Sequence, residues 1–316
     1  MAHMIDGMAF VGQTPWHGLG AEMPQGADLD KWRIAAGLGW SVQESLVQFQ
    51  AADQVITAQG NKVLWRDDTK GVLGVVSDRY NVVQPAAVVD FYKQVSDHNG
   101  FKMETMGSLA GGKRIWALAN VGDGFSINGD VVKPYLLFAT SYDKSLATRV
   151  SFTTVRVVCN NTLQMSVSRD SAAMSIPHST IFDGRKVAIN LGLLQQDISA
   201  MRDNIVLLSD IRVSRQQATR MLADAMFDIQ SDDEIESMPT RGKNILSNVV
   251  NLFDGQGIGS DMQSAAGTAW GMVNALTQFT DHIQGNSVST RLNSAWFGVG
   301  ANSKAKLFNS ALRLAA

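Results

Sequence analysis

KPYLLFATSYDKSLATRVSFTTVRVVCNNTLQM, residues 133–165, is the stretch that decides the fold. It begins with an apolar, strand-like run that continues to Thr140, and a polar turn follows at residues 141–145. A second run, residues 148–158, is dense in β-branched side chains, which pack well on a pleated sheet. The stretch therefore predicts a strand, a turn and a returning strand, which form the central hairpin of an antiparallel sheet.

The segments on either side of this hairpin differ in their apolar period. Residues 40–76 carry short apolar runs broken by Asn, Asp and Gly, which is typical of antiparallel hairpins. Gln84-Pro85 opens a helix, because proline suits the first helical turn, and further hairpins are predicted over residues 103–132. From Val187 onward the apolar residues recur at helical spacing. The predicted helices there are residues 187–208, a helix capped by Ser214, and residues 244–253, 261–283 and 303–314.

These patterns predict an α+β protein. The N-terminal half is rich in antiparallel β-sheet with an interrupting helix, and a mostly helical C-terminal half follows. The predicted domains are residues 1–186, a β-rich domain with an N-terminal arm, and residues 187–316, a helical region packed on it.

Composition places the chain among ordinary globular proteins. Its 316 residues are 45% hydrophobic and 18% charged, with a net charge of −2, so any anion-binding surface must be local. A single cysteine, Cys159, excludes an internal disulfide and fits a reducing cytosol. No apolar run approaches the roughly 20 residues that a membrane span requires. We therefore expect a cytoplasmic protein.

The familiar catalytic and cofactor motifs give no assignment. The glycine-rich residues 107–114 fall in a predicted hairpin rather than before a helix, unlike a phosphate-binding loop. The five histidines show no metal-ligand spacing. Cys159 could pair with His17 or His178 as a nucleophile, but a cysteine after Val-Val is more typical of a small core residue. We therefore predict no cofactor, no metal and no catalytic residues, which favours a protein that is not an enzyme.

Positive charge is concentrated in and after the central hairpin. Residues 133–186 contain seven Lys or Arg against three acidic residues. Arg149 and Arg156 lie within the second strand, on opposite faces unless a bulge near Thr153-Thr154 brings them together. Asn160-Asn161-Thr162 could contact phosphate or base edges, or cap a helix. The residues alone leave open whether the arginines form an internal network or bind a ligand.

Several segments spread along the sequence carry a resemblance to a known family. They are TPWHGLG (residues 14–20), GVVSDRY (74–80), TMGSL (105–109), VKPYLL (132–137), RVVCNNT (156–162), AWG (269–271) and Asn274-Ala275. At these residues the chain resembles a family of phage- and plasmid-related proteins known as domain of unknown function 932. The resemblance spans nearly the whole chain and implies a mobile-element origin without an established activity.

That context, together with the basic strands, suggests single-stranded DNA binding and annealing in replication or recombination, without nucleotide hydrolysis. We expect a homo-oligomer in the bacterial host cytoplasm with no membrane contact. Bases would stack on Tyr135, Tyr142 or Phe152. The predicted nucleic-acid-binding residues are Lys133, Tyr142, Lys144, Arg149, Arg156, Asn160, Asn161 and Arg169.

Two other classes of function remain as alternatives. One is a nucleotide- or nucleic-acid-processing enzyme that uses His17, Asp78, Arg79 and Arg156. The other is an interaction module that inhibits a host function.

Overall fold

The computed structural model describes residues 5–12, 20–99, 101–156, 158, 161–164, 173–193, 195–285 and 288–315. The strands are β1 (Ile5–Phe10), β2 (Ala21–Glu22), β3 (Val42–Ala51), β4 (Gln54–Arg66), β5 (Val72–Ser77), β6 (Lys102–Leu109), β7 (Arg114–Asn120), β8 (Phe125–Ile127), β9 (Asp130–Ser141), β10 (Thr148–Arg156), β11 (Asn161–Gln164) and β12 (Ala173–Ile176). The helices are α1 (Leu29–Ala35), α2 (Pro85–Asn99), α3 (Gly184–Leu193), α4 (Gln195–Asp210), α5 (Arg215–Phe227), α6 (Asp232–Ser237), α7 (Thr240–Asn251), α8 (Ala269–Gln278), α9 (Val288–Phe297) and α10 (Val299–Leu312). The predicted α+β class is confirmed, with a sheet-rich N-terminal half and a mostly helical C-terminal half.

The chain divides into two compact units that are not continuous in sequence. Unit 1 comprises residues 1–122, 135–151 and 173–193, and unit 2 comprises residues 123–134, 152–172 and 194–316. Strands β9 and β10 therefore each contribute residues to both units. The predicted boundary between residues 186 and 187 follows the change in secondary structure, whereas the observed division cuts the chain several times.

Unit 1 contains two antiparallel sheets and the helices α1, α2 and α3. Its larger sheet has the strand order β10-β9-β7-β6-β1-β2, with β12 paired to β10, and the short β1–β2 pair is parallel. The predicted central hairpin is confirmed, since β9 and β10 are neighbours. Helix α2 lies on this sheet, where the Tyr92 hydroxyl is 2.8 Å from Ala117 O and 2.9 Å from Leu136 O on adjacent strands. Strands β3, β4 and β5 form the second sheet in that order.

Unit 2 is organised around helix α8, all ten residues of which are buried. A helix that is buried on every side belongs in a core, and α4, α5, α7 and α10 contact it. Thr268 begins it, because its Oγ1 accepts a hydrogen bond from Gly271 N at 3.0 Å. A Cβ at Gly271 would lie 1.8 Å from Ala265 O, so only glycine allows this approach. In this unit β8 pairs with β9, and β11 with β10.

Several predicted helices differ from the observed ones. The helix predicted over residues 261–283 begins only at Ala269, since Gly267 has a φ of 64° and Thr268 is extended. The predicted helix over residues 187–208 corresponds to α3 in unit 1 and α4 in unit 2, and α9 was not predicted. Within the described ranges, no helix has the length and apolar character to cross a membrane.

Candidate nucleic-acid interface

The turn between β9 and β10 is held in shape by its own side chains. Ser141 Oγ donates to Leu146 O at 2.8 Å and accepts from Leu146 N at 3.0 Å. Asp143 Oδ1 accepts from Ser145 N at 3.0 Å, and the Ser145 hydroxyl also donates to it. Lys144 adopts a left-handed φ of 67° and is exposed. Because the turn backbone is fixed, Lys144 loses less conformational freedom on binding a ligand.

Tyr142 anchors the turn from inside unit 1. Its side chain is fully buried, its hydroxyl donates to Val83 O at 2.8 Å, and its ring meets Trp40 edge-on at 5.9 Å between centroids. A Cβ at Gly74 would lie 2.6 Å from Tyr142 O, so β5 can approach the turn this closely only with glycine there. Burial raises the pKa of Tyr142 well above its ordinary value. Tyr142 is therefore a structural residue of the turn.

A second anchor ties the ends of the turn to more distant segments. The Tyr80 hydroxyl donates to Ser141 O at 2.5 Å. The His178 ring stacks on Tyr80 with 4.2 Å between centroids, and its Nε2 lies 3.1 Å from Leu146 O. Desolvation raises the pKa of Tyr80. The segments after β5 and β12 thus both support the turn.

The hairpin turn between β6 and β7 brings two more cations to the same place. Tyr142 N donates to Lys113 O at 2.8 Å. Arg114 Nε donates to Ser145 Oγ at 2.8 Å. Sequence reasoning missed Lys113 and Arg114 as site residues, because they lie about thirty positions before Lys144. Strand pairing alone brings them together, and no local pattern in the sequence indicates it.

The start of β10 adds a fourth cation. Thr148 Oγ1 lies 2.8 Å from Thr140 Oγ1, so β10 begins beside the end of β9. The next residue, Arg149, is exposed and pairs with Ser175 of β12. The name "basic turn" is used below for Lys113, Arg114, Lys144 and Arg149. Against these four positive charges stands one carboxylate of the turn, Asp143, so the local excess is three.

The neighbouring turn between β4 and β5 leaves this excess unchanged. Arg66 forms an ion pair of 2.7 Å with Asp68 and lies 4.5 Å over the Trp40 ring. The hydrogen bond from Arg66 lowers the pKa of Asp68. Asp67 and Lys70 follow on the same turn, so its two cations are balanced by two carboxylates.

The other predicted site residues fall elsewhere. Lys133 is half-buried in the part of β9 that belongs to unit 2. Arg156 ends β10 and Asn161 begins β11, where their backbones pair. Asn160 and Arg169 lie outside the described residues. Of the eight predicted residues, the basic turn therefore contains Lys144 and Arg149.

The predicted stacking of bases needs correction. Tyr135, Tyr142 and Phe152 are each no more than 2% exposed, so a base cannot reach their rings. The register of β10 runs without a shift along the described ladders with β12 and β11. The bulge near Thr153-Thr154 that would place Arg149 and Arg156 on one face is therefore absent from these ladders.

Comparison with known proteins gives a family and no activity. A family profile described as "Domain of unknown function (DUF932)" matches residues 72–299, more than half of the chain. The chain belongs to this family. The DUF932 match begins at β5 and includes the whole basic turn, whereas β1 to β4 precede it. No curated protein and no solved structure matches the chain.

Residues of the alternative enzymatic site in this DUF932 chain are only partly described. Asp78 and Arg79 are exposed in the segment after β5. His17 lies outside the described residues, and only the backbone of Arg156 is described. Across the described residues, no group of three or more His, Cys, Asp or Glu side chains could hold a metal ion. The basic turn is thus the best-defined candidate site.

Proposed function

We propose that this chain binds single-stranded DNA through phosphate contacts at the basic turn, and that it promotes strand annealing without nucleotide hydrolysis. The excess of three positive charges on a fixed turn carries the proposal, since phosphate neutralisation supplies most of the affinity of sequence-independent binding. The resemblance to phage- and plasmid-related proteins supports a role in mobile-element replication or recombination in the bacterial cytoplasm.

The chemistry of the basic turn favours backbone contact over base recognition. Arginine and lysine bind phosphate oxygens, whereas the aromatic rings of Tyr135, Tyr142 and Phe152 are buried. Affinity should therefore depend little on base sequence and strongly on ionic strength. Discrimination against duplex DNA is part of the proposal and needs a direct comparison.

The first experiment is a salt titration of binding to a dye-labelled oligothymidylate, followed by fluorescence anisotropy. Each phosphate contact to a single strand contributes a slope of about −0.7 to the log-log salt plot. Four contacts predict a slope of about −2.8, or an affinity loss of about 50-fold between about 50 and 200 mM salt. Absence of binding at the lowest salt, or tighter binding to a duplex of the same length, would overturn the proposal.

The second experiment distinguishes binding at the basic turn from nonspecific attraction by the total charge of the chain. Lys144→Ala combined with Arg149→Ala should weaken binding and reduce the salt slope by about 1.4. Arg241→Ala combined with Lys243→Ala, at exposed positions on α7 in unit 2, removes the same two positive charges and is the charge-matched control; it should leave the slope unchanged. Tyr142→Phe should also leave it unchanged, because the Tyr142 ring is buried. An equal loss in the control would point to nonspecific attraction.

Annealing of complementary strands is measured in the same buffers without ATP or added metal. Acceleration by the wild-type chain, and its loss in the double variant at the basic turn, are the expected results. Turnover that requires a nucleotide or a metal would instead favour the alternative of a processing enzyme.

A further inference from the structure

The hairpin of β3 and β4 extends beyond the third strand of its sheet. Strand β5 pairs with β4 only from Asn61 to Trp65. Past that point the register jumps from Leu46↔Lys62 to Gln48↔Thr57, with Gly60 at a φ of 77° in the bulge. We call residues 46–57 the ribbon. It is two strands wide, and in the described part of the chain no third strand pairs with it.

The ribbon exposes large apolar side chains. Leu46 is 68% exposed, Phe49 51% and Val55 69%. Phe49 pairs directly with Ile56 across the two strands, so these two side chains share one face. A two-stranded ribbon is at best marginally stable alone in water, and exposed apolar side chains grouped in this way indicate an interaction surface.

The charges of the ribbon restrict what could cover it. Asp53 is the only charged residue among residues 46–57. The nearest flanking charges neutralise each other, since Lys62 and Glu44 form an ion pair of 2.9 Å. Without a cation, the ribbon offers nothing to a phosphate backbone or an anionic lipid surface. Its chemistry fits a neutral, apolar protein surface.

We infer that the ribbon binds the ribbon of a second copy of this chain, with the free edges of the two β3 strands paired antiparallel about a two-fold axis. Natural edge strands are protected by lysine, proline or charge, and β3 has neither lysine nor proline. Its one charged residue is Glu44. In a pairing centred on Leu46 or Val47, Glu44 lies opposite Gln48 or Gln50 of the other copy, so no like charges meet.

In such an isologous contact the same β3 edge of each copy pairs with the other, so no further partner is needed. Backbone groups on the open edge of β3 form the ladder, and Leu46 or Val47 meets its own copy at the two-fold axis. Phe49 lies opposite Gln43 or Ser45 of the other copy and is covered in part. The inference does not rest on DNA binding at the basic turn. The ribbon also precedes the residues matched by the family profile, so the family supplies no argument for it.

Sedimentation velocity over a range of protein concentrations tests the inference. The wild-type chain should form a dimer of its 34.2 kDa monomer. Phe49→Lys should shift it to monomer, because a lysine on an edge strand opposes pairing. Val72→Lys is the matched control, since Val72 is 61% exposed, at least as accessible as Phe49, but lies on β5, and it should remain dimeric. A monomeric wild type, a dimeric Phe49→Lys variant or a monomeric Val72→Lys variant would each overturn the inference.

Cysteine cross-linking provides a test that does not depend on a disruptive substitution. In a Cys159→Ser background, Leu46→Cys or Val47→Cys should form a disulfide-linked dimer on mild oxidation. A residue on the two-fold axis faces its own copy at the separation of cross-strand neighbours. Val75→Cys on β5 is the control and should stay unlinked. Failure of both ribbon positions to cross-link, or equal cross-linking of the control, counts against the antiparallel β3 pairing.

Discussion

In unit 1 tyrosine hydroxyls donate mainly to backbone carbonyls, whereas in unit 2 buried carboxylates accept hydrogen bonds from side chains. All four tyrosines of the chain belong to unit 1. Three of them donate to backbone carbonyls: Tyr80 to Ser141 O, Tyr92 at Ala117 and Leu136 O, and Tyr142 to Val83 O. The fourth, Tyr135, donates to Glu104 Oε1 at 2.8 Å.

Unit 2 relies on charged groups instead. Asp130 Oδ2 accepts from Ser264 Oγ at 2.9 Å and from Trp270 Nε1 at 3.2 Å, all within its core. Lys304 on α10 pairs with Asp281 at 2.7 Å, and their side chains are only 2% and 6% exposed. The difference predicts that the units respond differently to alkali and to the loss of a single side chain.

The largest expected effect is alkaline unfolding of unit 1. Desolvation raises the pKa of Tyr80, Tyr92, Tyr135 and Tyr142 above the ordinary 10.0. The stability that a neutral tyrosine adds is present below pH 10 and is lost as pH rises above it. Each tyrosine that stays neutral in the fold then costs about 1.4 kcal/mol per pH unit. Tyrosinate absorbance and circular dichroism, recorded against pH, should change together.

The chain unfolded in guanidinium is the control for this titration, and its tyrosines should ionise near pH 10. Gradual ionisation of the folded chain, with its circular dichroism unchanged, would show that the tyrosines are accessible. That result would remove the contrast between the two units.

The next largest effect is the loss of one charge from the buried pair of unit 2. Lys304→Ala leaves Asp281 buried without its cation, and we expect a loss of about 3–5 kcal/mol in the free energy of unfolding. Lys306 on the same helix pairs with Asp224 and the exposed Asp228. Lys306→Ala should cost about 1 kcal/mol or less, as surface pairs do. Urea denaturation followed by circular dichroism measures both variants.

Replacement of both Lys304 and Asp281 tests whether the loss of stability comes from the unpaired charge. Lys304→Met combined with Asp281→Leu removes both charges and keeps apolar volume, so the double variant should be more stable than Lys304→Ala. A double variant as unstable as the single one would mean that the pair is needed for packing rather than for charge balance.

A smaller effect is expected at Asp130. Asp130→Ala leaves the donors of Ser264 and Trp270 without this acceptor, at about 1–3 kcal/mol. Asp130→Asn keeps an acceptor oxygen and should cost less. Thermal unfolding compares the two variants, and an equal loss in both would show that the negative charge, rather than the acceptor atom, matters.

Sequence patterns predicted the positions of strands and helices better than the burial of their side chains. Alternation and turn residues correctly indicated the hairpin of β9 and β10 and the helix at Pro85. They did not reveal that Tyr142 is buried, because it lies in the polar turn that follows β9, and the residues that contact its side chain, Trp40 and Val83, are distant in sequence. Sequence patterns also could not predict that Lys113 lies near Lys144, since this proximity results from the pairing of β7 with β9.

The ribbon also shows that burial is not predicted by alternation, here because apolar side chains are exposed rather than buried. Val47 and Phe49, with Gln48 between them, have the alternation of a half-buried strand, yet the fold leaves Phe49 exposed. Burial depends on which element covers a face, and that information is carried by distant residues or by another chain.

The smallest expected effect is the loss of an exposed phenylalanine of unit 1, with a buried phenylalanine as the comparison. Phe49→Ala, at a dilution where the chain is monomeric, should change the free energy of unfolding by no more than about 0.5 kcal/mol, because the side chain is half exposed. Phe91→Ala removes a side chain that is 1% exposed and should cost about 3–5 kcal/mol. Urea denaturation at several protein concentrations measures both. If Phe49→Ala costs as much as Phe91→Ala even in the monomer, the ribbon is covered by the chain itself, and its face is not available to a second copy.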